Sequence, residues 1–144
     1  MTQAAAHSDR HTALVAPVAP VKAADHRIWG QLHGSSDALA ICESARAHQG
    51  LTLVITRSTE ESIRLEQSMR FYLGLPTDED QPAITPDGLE LLSLPDWETL
   101  PYDLFSPHQD ITSRRIRALH RLPTTNHGVL VVPARTLMHR LPPV

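Results

Sequence analysis

The chain has 144 residues, of which 41% are apolar and 20% are charged, and its formal net charge is −3. This composition fits one domain with an apolar core, and no stretch approaches the roughly 18 consecutive apolar residues of a membrane span. The only cysteine, Cys42, excludes an internal disulfide and any zinc site that needs two thiolates. We therefore expect a cytoplasmic protein with no membrane partner.

The first part of the chain predicts a leader, a strand and a helix. Residues 1–24 are rich in alanine, proline and histidine and show no sustained periodicity, so we expect a mobile leader. The segment 27–32 is predicted to form a short strand. A turn at Gly34 separates it from apolar residues at helical spacing, which predict a helix over 36–48.

The remainder of the chain alternates short apolar runs with amphipathic stretches. Strands are predicted at 51–56, 89–92 and 129–132, and helices at 58–73, 111–122 and 134–141. The runs LTLVIT and VLVV are continuous, as is typical of strands buried on both faces. Alternating strands and helices predict an α/β fold with a parallel sheet flanked by helices.

The turn at Gly34, Ser35 and Ser36 lies between a predicted strand and a predicted helix, where many phosphate-binding loops lie. A P-loop also requires a lysine that reaches the nucleotide phosphates. The only lysine, Lys22, is followed by two alanines and has no glycine near it. P-loop chemistry is therefore excluded, and the turn is interpreted as a loop in which Ser35 or Ser36 caps the helix.

Charge is distributed unevenly along the chain. Residues 71–110 contain nine acidic residues and no lysine or arginine, whereas residues 111–144 contain six arginines and no acidic residue. On the predicted helix, Arg114, Arg117 and Arg121 share one face. The opposite face is apolar and comprises Ile111, Ile116, Ala118, Leu119 and Leu122. Either the two segments neutralise each other in the fold, or the arginines form a basic face for a partner or nucleic acid.

No residue pattern points clearly to catalysis or to a metal. The nine histidines are scattered and form no HExxH motif. The carboxylates of Asp96, Glu98 and Asp103 lie close together, but in a loop where aspartate more often stabilises a turn than acts as an acid or base. Three aromatic residues of the same loop are expected to anchor it, namely Trp97, Tyr102 and Phe105.

The stretch LPDWETLPYDLFSPHQDITSRRIRALHRL, residues 94–122, resembles the N-terminal region of bacterial transcription-repair coupling factors, the Mfd family. The continuation HGVLVVPARTLMHRLPP is similar as well, and weaker similarity reaches back through LTLVIT to about residue 20. The loop residues that carry the family signature are Asp96, Trp97, Glu98, Tyr102, Asp103, Ser106 and Pro107.

This resemblance implies a fold and a place in a longer protein. Family members displace RNA polymerase stalled at DNA lesions with an ATP-driven double-stranded DNA translocase, and they recruit the excision-repair protein UvrA. Their N-terminal module resembles UvrB, whose fold there is RecA-like, of the P-loop NTPase type. Residues 25–144 would then be the first part of a UvrB-like domain, with an incomplete sheet and truncated before the insert that binds UvrA.

The resemblance also implies what this part does. The loop at Gly34, Ser35 and Ser36 corresponds to a degenerate P-loop, so no cofactor is expected here, and ATP and magnesium would act in the translocase domain of the parent. The expected role is a non-catalytic scaffold whose partners are the rest of the parent chain and UvrA. RNA polymerase and double-stranded DNA would bind distant parent domains. The alternatives are a free-standing nucleic-acid-binding module using Arg114, Arg117 and Arg121, and a functional ATPase or helicase domain.

Overall fold

The computed structural model describes residues 17–18, 20, 22–77, 81, 83–97 and 108–140. Most of the predicted leader and part of the signature loop lie outside these residues. The described helices are α1 (Ser36–Ala47), α2 (Thr59–Leu73) and α3 (Gln109–Arg121). The described strands are β1 (Leu51–Thr56), β2 (Glu90–Ser93) and β3 (Gly128–Pro133). Short 3-10 turns follow α3 and β3, at Leu122–Thr124 and Thr136–Met138.

The three strands form one parallel sheet in the order β1-β3-β2. Leu53 of β1 and Leu92 of β2 both lie opposite Leu130 of β3, so β3 is the central strand. Parallel neighbours need crossover connections, and here helices supply them. The predicted α/β class, with a parallel sheet and flanking helices, is confirmed for these elements.

Local sequence signals define α2 at both ends. The Ser58 side chain accepts a hydrogen bond of 3.2 Å from the Glu61 amide, and the Glu61 carboxylate accepts one of 2.8 Å from the Arg57 amide. The first bond satisfies an amide that the first helical turn leaves unpaired, and the second ties the residue before the cap to the same turn. At the other end Gly74 adopts a left-handed φ of 66°, which glycine tolerates without a steric penalty. These contacts fix α2 at the sequence positions that the pattern predicts.

Two apolar clusters cover the two faces of the sheet. On one face, α1 and α2 pack against β2 and β3 through buried side chains that include Cys42, Met69, Leu91, Val129 and Val131. On the other face, α3 packs through Ala118 against Leu92, Leu94, Leu130 and Val132. Fully burying one such aliphatic side chain contributes about 1.5–3 kcal/mol. The apolar side chains of β3 thus anchor both layers of helices.

Two expectations about strands are wrong. The segment 27–32 forms no strand, because Ile28 is 96% exposed and Gln31 has a φ of 60°, which lies outside the extended region. The strand β1 is not buried on both faces, because Leu53 and Ile55 are 50% and 55% exposed. In the described part of the chain α3 covers only β2 and β3 on that face. None of the described helices is long and apolar enough to cross a membrane.

Candidate functional site

The polar side chains of the turn that precedes α1 make hydrogen-bond contacts within the protein. Gly34 has a φ of 63°, and the Ser35 hydroxyl lies 2.8 Å from the Tyr72 hydroxyl. The Ser36 hydroxyl donates a hydrogen bond of 2.7 Å to the His33 carbonyl. The expectation that Ser35 or Ser36 caps α1 is wrong, because the Ser35 hydroxyl makes no capping hydrogen bond and the Ser36 hydroxyl donates to a carbonyl that precedes the helix.

A carboxylate lies in the first turn of α1. Asp37 forms an ion pair of 2.6 Å with Arg64 of α2 and accepts a hydrogen bond of 2.7 Å from the Ala38 amide. Partial burial raises the pKa of Asp37, but the bonds from Arg64 and Ala38 outweigh it, so the pKa lies below its ordinary value. The first turn of α1 therefore already holds a carboxylate, which is paired with Arg64 and with a helix amide.

The three predicted arginines of α3 are brought together at one cavity. Arg114, Arg117 and Arg121 line a space of about 300 Å³ between α2, α3 and β2. Arg114 lies 3.1 Å from the buried carboxylate of Glu66 on α2, and Arg121 lies 2.8 Å from the buried carboxylate of Glu90 on β2. Hydrogen bonding to Glu90 raises the pKa of Arg121. Arg114 and Arg121 thus have acidic partners from other elements.

A fourth arginine of α3 is buried and was not singled out by the sequence. Arg115 is 2% exposed, and it donates a short hydrogen bond to the Pro95 carbonyl. Its guanidinium lies 4.2 Å from the ring centre of the half-buried Trp97, a cation–π geometry. The predicted apolar face is wrong at Ile116, which is 62% exposed. Residue 115 lies three, four and seven positions before Ala118, Leu119 and Leu122, and that spacing is the signal that identifies its face.

Arg115 belongs to an ion cluster around the buried carboxylate of Asp96, at the carboxyl ends of β2 and β3. Asp96, which follows β2, is 5% exposed. Its carboxylate lies 3.7 Å from Arg135 and 3.3 Å from His139, both of which follow β3. Burial lowers the pKa of Arg115, and the nearby Asp96 charge offsets this only in part. The cluster therefore joins α3 to the ends of two neighbouring strands.

Three buried polar atoms of this region have no hydrogen-bond partner among the described residues. They are Asp96 Oδ1, Arg115 Nε and Thr136 Oγ1. Ligand sites of open parallel sheets lie at the carboxyl ends of the strands, so this is the candidate site by position. A carboxylate that is 5% exposed and lies near Arg115 and Arg135 is poorly placed to take a proton from a substrate. Its geometry therefore fits anchoring of the signature loop better than acid–base chemistry.

Most of the other residues of the predicted signature loop lie outside the part of the chain that the structure describes. Glu98, Tyr102, Asp103, Ser106 and Pro107 lie outside the described residues. Within the described ranges, no three metal-ligating side chains form a group that could hold a metal ion. Burial raises the pKa of the Cys42 thiol to about 12, so at neutral pH it stays protonated and is a poor nucleophile.

The fold and site together define an α/β domain with a three-stranded parallel sheet and an ion cluster around the buried Asp96 at the carboxyl ends of two strands. No protein-family model matches the chain. Individual relatives do, and all the matches described below are transcription-repair-coupling factors.

Over 124 residues, or 86% of its length, the chain is 40% identical to the transcription-repair-coupling factor of Escherichia coli. It is 39% identical over 132 residues, or 92% of its length, to that of Haemophilus influenzae. The protein of Mycobacterium tuberculosis is 31% identical over 115 residues, which are 75% of this chain and 8% of the relative. The chain therefore belongs to the family of transcription-repair-coupling factors, and it spans 10% of the length of the first two relatives.

Proposed function

We propose that the chain is a non-catalytic, UvrB-like scaffold within a cytoplasmic transcription-repair coupling factor. In this proposal the whole factor displaces RNA polymerase stalled at DNA lesions and recruits UvrA for nucleotide excision repair. The segment described above supports the region that binds UvrA. ATP, magnesium and double-stranded DNA act in translocase domains of the parent protein. The name shared by the relatives supports the coupling of repair to transcription.

The observation that carries the non-catalytic part of this proposal is that the polar side chains at the start of α1 are already bonded to other groups of the protein. Asp37 places a carboxylate there, and Arg64 is committed to that carboxylate at 2.6 Å. The hydroxyls of Ser35 and Ser36 are engaged with Tyr72 and with the His33 carbonyl. A nucleotide phosphate would have to compete with the Asp37 carboxylate for Arg64, against a helix-dipole attraction of only about 0.3–1 kcal/mol.

The pairing of Arg114 with Glu66 and of Arg121 with Glu90 makes the nucleic-acid-binding alternative less favourable. Each contact places a carboxylate beside an arginine that this alternative would use to bind a phosphate. Contacts to phosphates require arginines whose charge is not already balanced locally. The scaffold therefore remains the function that the geometry supports best.

Isothermal titration of the chain with Mg-ATP tests the non-catalytic assignment. We expect no binding tighter than about 1 mM, because the turn lacks a lysine and carries a carboxylate. The matched control is the double variant Ser35→Ala with Ser36→Ala, which should give the same flat titration. Micromolar binding that is lost in this double variant would instead establish a nucleotide site and revive the enzyme alternative.

Binding of UvrA to the full-length factor tests the scaffold role. The variant Arg115→Ala removes the side chain that ties α3 to the signature loop, and we expect it to weaken UvrA binding while ATP hydrolysis by the translocase stays unchanged. Arg117→Ala, an exposed arginine of the same helix, serves as the control and should leave both activities unchanged. Equal UvrA affinity for the Arg115→Ala variant and the unmodified factor would contradict the proposed support.

A further inference from the structure

The strand β1 has an open outer edge. It pairs with β3 on one side, and no other segment of the described chain forms a bridge to it. The opposite edge of the sheet differs, because Ile84 bridges Glu90 of β2 in antiparallel orientation. The outer edge of β1 is therefore the place where the described sheet can accept another strand.

The backbone groups at this edge belong to Leu51, Leu53 and Ile55. The Gly50 and Thr56 carbonyls point towards β3 and accept hydrogen bonds of 3.2 and 2.8 Å from the amide that begins β3 and from the amide just after its end. Because directions alternate along a strand, the amides and carbonyls of the three intervening odd-numbered residues point away from β3. They offer donors and acceptors in the pattern that an antiparallel strand requires.

The same residues present apolar side chains on the face of the sheet that carries α3. Leu53 and Ile55 lie opposite Leu130 and Val132, which belong to the apolar cluster under α3. Among the described strands α3 covers only β2 and β3, so Leu53 and Ile55 remain about half exposed. The run LTLVIT also contains no charged residue and no proline, which are the features with which natural edge strands usually avoid pairing.

We propose that β1 pairs with β1 of a second copy of this chain, in antiparallel orientation about a two-fold axis that passes beside Leu53. In this register the two Leu53 residues exchange both backbone hydrogen bonds, and Leu51 of each copy does so with Ile55 of the other. The paired side chains are all aliphatic and share one face of the sheet. This dimer is independent of the scaffold role proposed above.

A second copy fits this edge for reasons of charge and of closure. Since β1 has no charged side chain, the two-fold register places no like charges opposite each other within the strand. Arg57, the next residue, falls opposite the uncharged Gln49. Pairing joins the two sheets into one whose outer strands are the two copies of β2. Each of these already carries the bridge to Ile84, which favours a closed dimer over further growth.

Sedimentation equilibrium of the 144-residue chain tests this dimer. The contact is limited to one strand from each copy, so we expect reversible dimerisation with a Kd of about 10–100 µM. Hydrogen exchange at the amides of Leu51, Leu53 and Ile55 should slow as the concentration rises through this range. A chain that stays monomeric up to about 1 mM would overturn the proposal.

Residue 53 is the sharpest position for variants, because the two-fold register places it opposite itself. Leu53→Lys and Leu53→Glu should each weaken dimerisation by about tenfold, since each brings two like charges together. An equimolar mixture of the two variants should form a heterodimer with a Kd within about threefold of that of the unmodified chain, because the introduced charges are then opposite. Ile116→Lys is the control, since Ile116 is an exposed apolar residue of α3, away from the edge, and it should leave dimerisation unchanged.

The outcomes separate this dimer from other occupants of the edge. A mixture that forms no heterodimer would overturn the register through Leu53, and equal dimerisation of Leu53→Lys and Ile116→Lys would overturn β1 as the interface. Slow exchange at the outward amides of a monomeric chain would show that another segment of the same chain occupies the edge, which also overturns the dimer. Unchanged amide NMR shifts at Val129 and Val131 identify the variants that retain the fold, and the exchange measurement on the unmodified chain needs no variant.

Discussion

Replacing Arg115 by alanine is expected to lower the free energy of unfolding by about 3–5 kcal/mol, measured by urea denaturation. The side chain is 2% exposed, so its removal leaves a void under α3. The Pro95 carbonyl loses a charged donor, and the half-buried ring of Trp97 loses the cation beneath it. The buried carboxylate of Asp96 also loses one of its compensating charges, which adds to the cost.

Arg117→Ala is the matched control because it removes the same side chain from an exposed position of the same helix. We expect it to change stability by less than about 0.5 kcal/mol. A double-mutant cycle with Asp96→Asn then isolates the charge interaction, and a coupling energy of about 1–3 kcal/mol is expected. Similar melting curves for the two single arginine variants would show that Arg115 does not anchor the loop.

Much of the fold could be predicted from the sequence, because hydrophobic periodicity reports on burial within one element. The run VLVV becomes the central strand β3, and both ends of α2 follow from Ser58 and Gly74. The parallel pairing of β1 with β3 follows from the helices between strands. These features depend on contacts that lie close in sequence or on simple connectivity.

The errors concern contacts between elements. The exposure of Leu53 and Ile55 depends on how far α3 extends across the sheet, which the apolar run LTLVIT does not encode. The segment 27–32 contains residues that favour strands but makes no pairing with the described sheet, and extended propensity without a partner does not produce a strand.

The candidate site was predictable only in part for the same reason. The resemblance marked Asp96 and Trp97, yet their partners come from α3 and from the turn after β3. Arg115 is 19 positions from Asp96 along the chain and His139 is 43 positions away, so no local pattern connects them. The face shared by Arg114, Arg117 and Arg121 was visible in helical spacing, but their glutamate partners required the packing of α2 and β2.

The contacts do explain the uneven charge of the sequence. Glu90 and Asp96 belong to the acidic segment 71–110, and they pair with Arg121, Arg135 and His139 of the basic segment. The two segments meet because α3 and the end of β3 pack beside β2. These pairs therefore hold α3 to β2 through Glu90 and hold the turn after β3 to the end of β2 through Asp96.

Replacing Glu66 by alanine is expected to lower the free energy of unfolding by about 3–5 kcal/mol, because it leaves a buried arginine without its anion. Glu66 is 4% exposed and Arg70 is 7% exposed. One oxygen of Glu66 accepts a hydrogen bond of 3.2 Å from Nε of Arg70 and lies 3.1 Å from its Nη2, and the other oxygen lies 3.1 Å from Arg114. Glu66 therefore neutralises Arg70 of its own helix and also joins α2 to α3 through Arg114.

Glu66→Gln should recover less than half of this loss, since an amide offers one acceptor oxygen and turns its NH₂ group towards a guanidinium. Gln67→Ala, on the exposed side of the same helix, is the control and should cost less than about 0.5 kcal/mol. Replacing Glu66 and Arg70 together by methionine should restore part of the lost stability, because it removes both buried charges of α2, although Arg114 still loses its carboxylate partner. If the double variant unfolds at the same urea concentration as Glu66→Ala, the cost lies in packing rather than in an uncompensated charge. Raising the salt concentration should leave the Glu66→Ala deficit nearly unchanged, since a buried pair is screened far less than an exposed one.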